Sequence, residues 1–240
     1  MSEPVLTLDS VEATYGPFRA LFGVSLTVGA GDAVALLGAN GAGKTTVARV
    51  ASGLIAPSAG TVEVSGEDFT GRHPFEFARA GVAHAPEGRS VFASLTVEEN
   101  LSLSFRQILG RQGVGIGLEQ AYELFPRLGE RREQMAGTLS GGEQRMLALA
   151  RVIVEAPQLL IGDELSLGLA PIIVDEVYEN LAAIRAAGTA LLIVEQHIGH
   201  ALDLCDRVVL LDHGASSWDG PSDQAGEVVV SQLFDRSGRG

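Results

Sequence analysis

Nine consecutive residues constrain this chain more than any other feature: Gly38-Ala39-Asn40-Gly41-Ala42-Gly43-Lys44-Thr45-Thr46, a match to G-x-x-x-x-G-K-[ST]. A polyphosphate needs many donors close to its oxygens. Glycines let backbone N–H groups approach without a Cβ in the way and permit positive φ. A helix opening directly after the loop points its positive end at the anion. In this reading all nine residues contact a nucleotide, Lys44 reaches its β- and γ-phosphates, and the Thr45 hydroxyl holds Mg²⁺. The flanks agree. Ala33-Val34-Ala35-Leu36-Leu37 has the continuous apolar character of a buried parallel strand, and Val47 to Ala51 reads as a helix closed by Gly53. The motif therefore calls for an α/β fold, a mainly parallel sheet with helices on both faces.

At 240 residues the chain suits one domain, or one domain with an inserted subdomain. Apolar residues make up 46% and aromatics only 5%, so Val, Leu, Ile and Ala build the core. Seventeen basic residues face 30 acidic ones, a net charge of −13, and no basic run is longer than Arg131-Arg132. A surface that grips a nucleic-acid backbone needs clustered Lys and Arg, so no nucleic-acid partner is expected. Cys205 is the single cysteine and reads as a small buried hydrophobe. Met1-Ser2-Glu3-Pro4 lacks the basic region of a signal peptide, and no apolar run approaches the length of a membrane span. A cytoplasmic protein is expected.

Along the chain, Val5 to Leu8 and Val24 to Val28 alternate like short, half-solvated antiparallel strands, separated by the turn Tyr15-Gly16-Pro17-Phe18. Pro57-Ser58-Ala59-Gly60 reads as a loop before a further strand, Thr61 to Gly66. A helix is expected over Pro74 to Ala80, a strand over Gly81 to Ala85, and a loop at Pro86-Glu87-Gly88-Arg89. Thr96 with Glu99 three residues on makes a capping box that starts a helix. Helical patches run to about residue 136, and Gly110 to Gly117 reads as a glycine-rich connector between them. Beyond lie buried strands at Gln158 to Gly162 and Thr189 to Val194, a helix from Pro171 to Ala187, and a strand from Arg207 to Leu211. This pattern divides the chain into a core of residues 1–87 and 156–220, an inserted helical part at 88–155 and a short tail at 221–240.

Two more constellations carry chemistry. Asp163-Glu164 closes an apolar strand, where a carboxylate can hold Mg²⁺ and its neighbour can orient or deprotonate an attacking water. Leu139-Ser140-Gly141-Gly142-Glu143-Gln144 opens the helix Arg145 to Val154, so it offers a second anion site made of helix N-terminal N–H groups. One nucleotide does not easily use two anion sites so far apart in sequence. The economical reading gives the second site to a partner's nucleotide.

With both constellations beside the P-loop, the chain resembles the ATP-binding cassette (ABC) ATPases over essentially its whole length. Leu139 to Gln144 is similar to that family's signature motif. The resemblance implies a single P-loop NTPase domain with an N-terminal antiparallel β subdomain and an inserted α-helical subdomain. It implies two cassettes, homo- or heterodimeric, packed head to tail, with ATP between the P-loop of one and Ser140, Gly141, Gly142 and Glu143 of the other. It implies that Tyr15 stacks on adenine, that Thr45, Asp163 and Glu87 serve the metal, and that Lys44, Glu164 and Gln196 are catalytic. Finer features, Pro86-Glu87-Gly88-Arg89, Phe125-Pro126-Arg127-Leu128, Ser166 to Pro171 and Val194-Glu195-Gln196, look like the ATP-binding subunits of branched-chain amino acid importers, and most like the second of the two. Urea and short-chain amide importers share much of this pattern. The implied partners are a second ATPase, two membrane permease subunits and, indirectly, a solute receptor. The implied location is the cytoplasmic side of the inner membrane, held peripherally.

Several positions depart from the general cassette pattern. Glu87 stands where Gln is usual, Leu165 replaces Pro after the catalytic Glu, Leu169 stands where Asp is common, and Gln196 falls where a His usually senses the γ-phosphate. Gly162 is unusually small for a strand end. Val91, Phe92 and Leu95 are apolar in an otherwise polar stretch; they either dock a membrane subunit's helix or fold back on the helical part. Two competing classes fit less well. A soluble cassette ATPase acting on ribosomes or DNA calls for paired cassettes or long coiled coils and more basic surface. A P-loop kinase or GTPase leaves Leu139 to Gln144 without a purpose.

Overall fold

A computed structural model describes residues 3–86, 91–154, 156–196, 198–226 and 228. Among the described residues, ten strands form two sheets. The larger has six strands in the order β10-β9-β3-β8-β7-β6: β3 (Ala33–Leu37), β6 (Val82–Ala85), β7 (Leu159–Asp163), β8 (Ala190–Glu195) and β9 (Arg207–Asp212) run parallel, and β10 (Ala215–Pro221) closes one edge antiparallel. Every residue of β3, β7 and β8 is buried, which explains why these segments read as continuous apolar runs.

Alternation along each strand sends side chains to two separate cores. Ala33, Ala35, Leu37, Leu191, Ile193, Val208 and Leu210 face one, shared with the helices α3 (Val97–Ile108), α4 (Gly110–Leu124), α5 (Pro126–Glu130), α6 (Gly141–Ile153), α7 (Pro171–Ala186) and α8 (Ile198–Leu204). Val34, Leu36, Leu192, Val194, Val209 and Leu211 face the other, shared with α1 (Lys44–Ala51), α2 (Pro74–Arg79) and the four-stranded antiparallel sheet β2-β1-β4-β5. That second sheet comprises β1 (Pro4–Tyr15), β2 (Phe18–Gly29), β4 (Ala59–Val64) and β5 (Glu67–Asp68).

Three local expectations are corrected. β1 and β2 span 12 residues each instead of two short stretches, because register shifts around Ser10 and Ala13 interrupt the alternation without ending the ladder. The Pro57–Gly60 loop gives up its last two residues to β4, where Ala59 pairs with Glu12. Gly60 permits this with φ +81°, since a Cβ there would stand 2.4 Å from the Ser10 carbonyl oxygen. Third, Gly110 to Gly117 is the start of the 15-residue helix α4, not a connector. The break from α3 is confined to Gly110, at φ +71°. Gly117 allows close packing: a Cβ there would lie 2.8 Å from the Phe105 ring. Burial of Ala121 and Phe125 beside Phe105 and Leu101 outweighs the poor helix propensity of glycine.

Candidate nucleotide site

The site forms where β3, β7 and β8 end side by side, at the C-terminal edge of the parallel strands. β3 runs into residues 38–43, and α1 begins at Lys44. Two glycines make the loop possible. A Cβ at Gly38 would lie 2.4 Å from the Leu211 carbonyl oxygen. Gly43 takes φ +102° as the N-cap of α1, with no side chain capping the helix, so the first-turn N–H groups face the cavity.

The loop bounds a cavity of about 490 Å³, lined by Tyr15, Asn40, Gly41, Gly43, Lys44, Thr45, Thr46 and Glu164, with Phe18, Arg19 and His213 at its rim. Gly38, Ala39 and Ala42 do not line it. The carbonyls of Gly38 and Ala39 accept from Lys44 Nζ at 2.9 and 3.2 Å, and Ala42 is buried beneath the loop. Lys44 is 4% exposed, and its Nζ lies 3.9 Å from Glu164 Oε1. Burial lowers the Lys44 pKa, while Glu164, Asp163 and Glu195 pull in the opposite direction. A polyphosphate placed here adds negative charge around an ammonium that is already desolvated and directed at the loop.

Thr45 Oγ1 donates to Asp163 Oδ1 at 3.3 Å, across 118 residues of sequence. Asp163 is 1% exposed at the end of β7. The Thr45 hydroxyl lines the cavity and the Asp163 carboxylate, which does not, stands directly behind it; both are hard oxygen donors of the kind Mg²⁺ takes alongside phosphate oxygens, so the residues present fit that ion. Glu164 has φ +49°, uncommon for a non-glycine residue, and its N–H donates to the Val194 carbonyl at 2.8 Å. Tyr15 is 42% exposed; its hydroxyl lies 3.5 Å from both Thr46 Oγ1 and Arg49 Nη1.

The structure keeps Leu139 to Gln144 apart from this cavity. None of Ser140, Gly141, Gly142 or Glu143 lines it. Ser140 caps α6, its hydroxyl accepting from Glu143 N at 3.3 Å while Glu143 Oε2 accepts from Ser140 N at 2.8 Å. Partial burial pushes the Glu143 carboxyl up, but the Ser140 donors together with Arg131 and Arg127 hold it below its ordinary value. Gln196 sits exposed one residue beyond β8, outside the cavity lining, and its N–H donates to Glu195 Oε2 at 3.3 Å. Glu87 and His197 lie outside the described residues.

Sequence reasoning gave no role to two buried residues beside the site. Glu195, 1% exposed, accepts from both the N–H and the hydroxyl of Ser166 at 2.9 Å, tying the end of β8 to the turn after β7. Arg145, 5% exposed on α6, donates to the carbonyls of Pro86, Glu164 and Leu165. For Glu195 the available signal was a charge ending the apolar run Ala190 to Val194; Arg145, beside Glu143 and Gln144 on a helix that also carries Arg151, had no such signal.

Comparison with known proteins places the chain among cassette ATPases. The profile of the ABC transporter family matches residues 21–166. A high-affinity branched-chain amino acid transport ATP-binding protein of Pseudomonas aeruginosa is 42% identical over 210 residues, 88% of this chain and 90% of that one. A probable branched-chain amino acid transport ATP-binding protein of Archaeoglobus fulgidus is 31% identical, with 97% of each chain covered. A Nod factor export ATP-binding protein of a Rhizobium species is 34% identical over 92% of this chain and 72% of its own. Among solved structures, a nucleotide-free ATP-binding cassette from an ABC transporter superposes with a TM-score of 0.85 over 99% of both chains, at 23% identity.

Proposed function

Because this chain belongs to the ABC transporter family and is an ATPase of the P-loop cassette type, we propose that it powers an importer for branched-chain amino acids. It works as one of two cassettes, homo- or heterodimeric, beneath two membrane permeases that a solute receptor feeds. Among the described residues no helix is long and apolar enough to cross a membrane, which suits a peripheral subunit on the cytoplasmic face of the inner membrane. The cargo rests on the Pseudomonas and Archaeoglobus relatives, each named for branched-chain amino acid transport and aligned over most of both chains, and the import direction on the resemblance of Pro86 to Arg89, Phe125 to Leu128, Ser166 to Pro171 and Val194 to Gln196 to importer subunits. A relative named for Nod factor export is also similar; urea and short-chain amides are the alternative cargo.

The observation that carries the reading is that Lys44, Thr45 and Glu164 line one cavity, with Asp163 buried directly behind the Thr45 hydroxyl. Backbone N–H groups of Gly41, Gly43, Lys44, Thr45 and Thr46 cradle the phosphates and Lys44 turns from the Gly38 and Ala39 carbonyls to the β- and γ-oxygens. Thr45 and Asp163 hold Mg²⁺, as does Glu87, which lies outside the described residues. When bound, the ion offsets charge building on the transferred phosphoryl group. Glu164 accepts a proton from, or orients, the water that attacks the γ-phosphorus. Tyr15 stacks on adenine, and Gln196 donates to the γ-phosphate through its amide. Ser140, Gly141, Gly142 and Glu143 complete the partner's site. Their separation from this chain's own cavity supports that assignment.

Two measurements test the proposal. With Mg-ATP and the partner cassette, Glu164→Gln elutes as a stable dimer on size exclusion and hydrolyses very slowly; a variant that stays monomeric and active overturns the site assignment. A strain lacking the protein loses uptake of radiolabelled leucine, and the wild-type chain but not Lys44→Ala restores it. Unchanged leucine uptake with lost urea uptake moves the cargo to the alternative.

A further inference from the structure

We propose that Arg145 is a positioning residue for the Glu164 carboxylate, an inference that rests on Glu164 being the group that handles the attacking water. Arg145 lies on α6, five residues after its Ser140 cap, and is 5% exposed. Its guanidinium spends three donor groups on main-chain carbonyls of two other segments. Nε donates to Leu165 O at 3.2 Å, Nη1 to Pro86 O at 2.9 Å, and Nη2 to Glu164 O.

The contact matters because of what it holds. Glu164 occupies φ +49°, a conformation a glutamate adopts only when its surroundings impose it. Its N–H is fixed to Val194 O on β8, and its carbonyl is fixed to Arg145 on α6. The next two residues are held as firmly: Leu165 is fully buried with its carbonyl on Arg145, and Ser166 is bound twice by Glu195. Both peptide planes flanking Glu164 Cα are thereby set, so the direction in which the carboxylate leaves the backbone is set too. That direction brings Oε1 to 3.9 Å from Lys44 Nζ. Arg145 does not itself line the cavity, and the lining residue it meets in these bonds is Glu164, at the carbonyl. It acts through Glu164. A rigid planar fork suits three carbonyls at fixed angles; the point charge of lysine does not.

The test is steady-state hydrolysis by the full chain, with and without the partner cassette, for Arg145→Met, Arg145→Lys and each combined with Glu164→Gln. A carboxylate displaced by about an ångström costs on the order of 10²-fold in rate. Arg145→Met is therefore expected to lower kcat by about that factor while the KM for ATP stays within about threefold. Arg145→Lys restores part of the rate. In the Glu164→Gln background the Arg145→Met change adds less than about twofold, because the group it positions is already gone. Should Arg145→Met fail to fold, Arg145→Lys alone carries the comparison in both backgrounds. An equal loss in both backgrounds, a rise in KM without a fall in kcat, or an unaltered rate overturns the inference and leaves Glu164 in place. Normal turnover by Glu164→Gln alone overturns the role of Glu164 and the inference with it.

Discussion

Leu165 lays its side chain over the α-carbon of Gly162: a Cβ built on Gly162 would stand 2.6 Å from Leu165 Cδ1 and 3.4 Å from Ile193 Cδ1. Both residues depart from what the sequence pattern leads one to expect, and each accounts for the other. Leu165 is fully buried at a turn. It fits because the last turn-ward residue of β7 but one has no side chain.

Gly162→Ala overpacks this contact and destabilises the fold by about 1–3 kcal/mol. Combining it with Leu165→Ala recovers part of that loss, since the alanine methyl then fills the space left by leucine. Chemical denaturation of the two single variants and the double variant measures the coupling. Additive losses refute the pairing.

Lys44→Ala removes the cation directed at the phosphate cradle, so hydrolysis falls by at least about 10²-fold. Isothermal titration with ATP shows weaker binding at the same time. Near-normal turnover eliminates the cavity bounded by residues 38–46 as the phosphate site.

Gln196 and His197 compete for the γ-phosphate-sensing role. In the cassette pattern that this sequence resembles, the sensing residue stands ten positions before an Asp-Arg pair; that pair is here Asp206-Arg207, and the count falls on Gln196. Gln196→Ala is expected to slow hydrolysis strongly and His197→Ala only mildly, with no activity step between about pH 6 and 7 belonging to this histidine. The reverse order of the two variants shifts the role to His197.

His84 makes stability depend on acid. Its Nδ1 lies 3.0 Å from Ser52 Oγ, whose hydroxyl also reaches Ala48 O at 2.9 Å, and its buried Nε2 has no hydrogen-bond partner among the described residues. Burial, then the nearby Arg49, lowers its pKa from 6.5 to about 4. The unfolded chain therefore takes up the extra proton first. Stability falls as pH drops from about 6.5 to about 4, by on the order of 3 kcal/mol in total, and is unaffected by His84 above that window. Urea denaturation at steps between about pH 7 and 4 reads the slope. His84→Gln flattens it; an identical slope in the variant assigns the acid sensitivity elsewhere.

Much of this protein is legible in one dimension. The phosphate loop, the Asp163-Glu164 pair and the Ser140 cap are contiguous, and each draws its chemistry from backbone geometry that a few neighbouring residues dictate. The all-buried strands β3, β7 and β8 announce themselves as apolar runs because both faces are covered. What tertiary structure decided depends on atoms brought together across long stretches of chain. Gly110 to Gly117 reads as a breaker until the Phe105 ring supplies the surface that Gly117, lacking a Cβ, fits against. Gly162 has no reason to be small until Leu165 turns back over it. Arg145 is one more polar residue on a helix until the carbonyls of Pro86, Glu164 and Leu165 meet it. Local sequence sets conformational preference and hydrogen-bonding capacity, whereas close packing and buried hydrogen bonds are properties of pairs, and the partner is known only once the chain has folded.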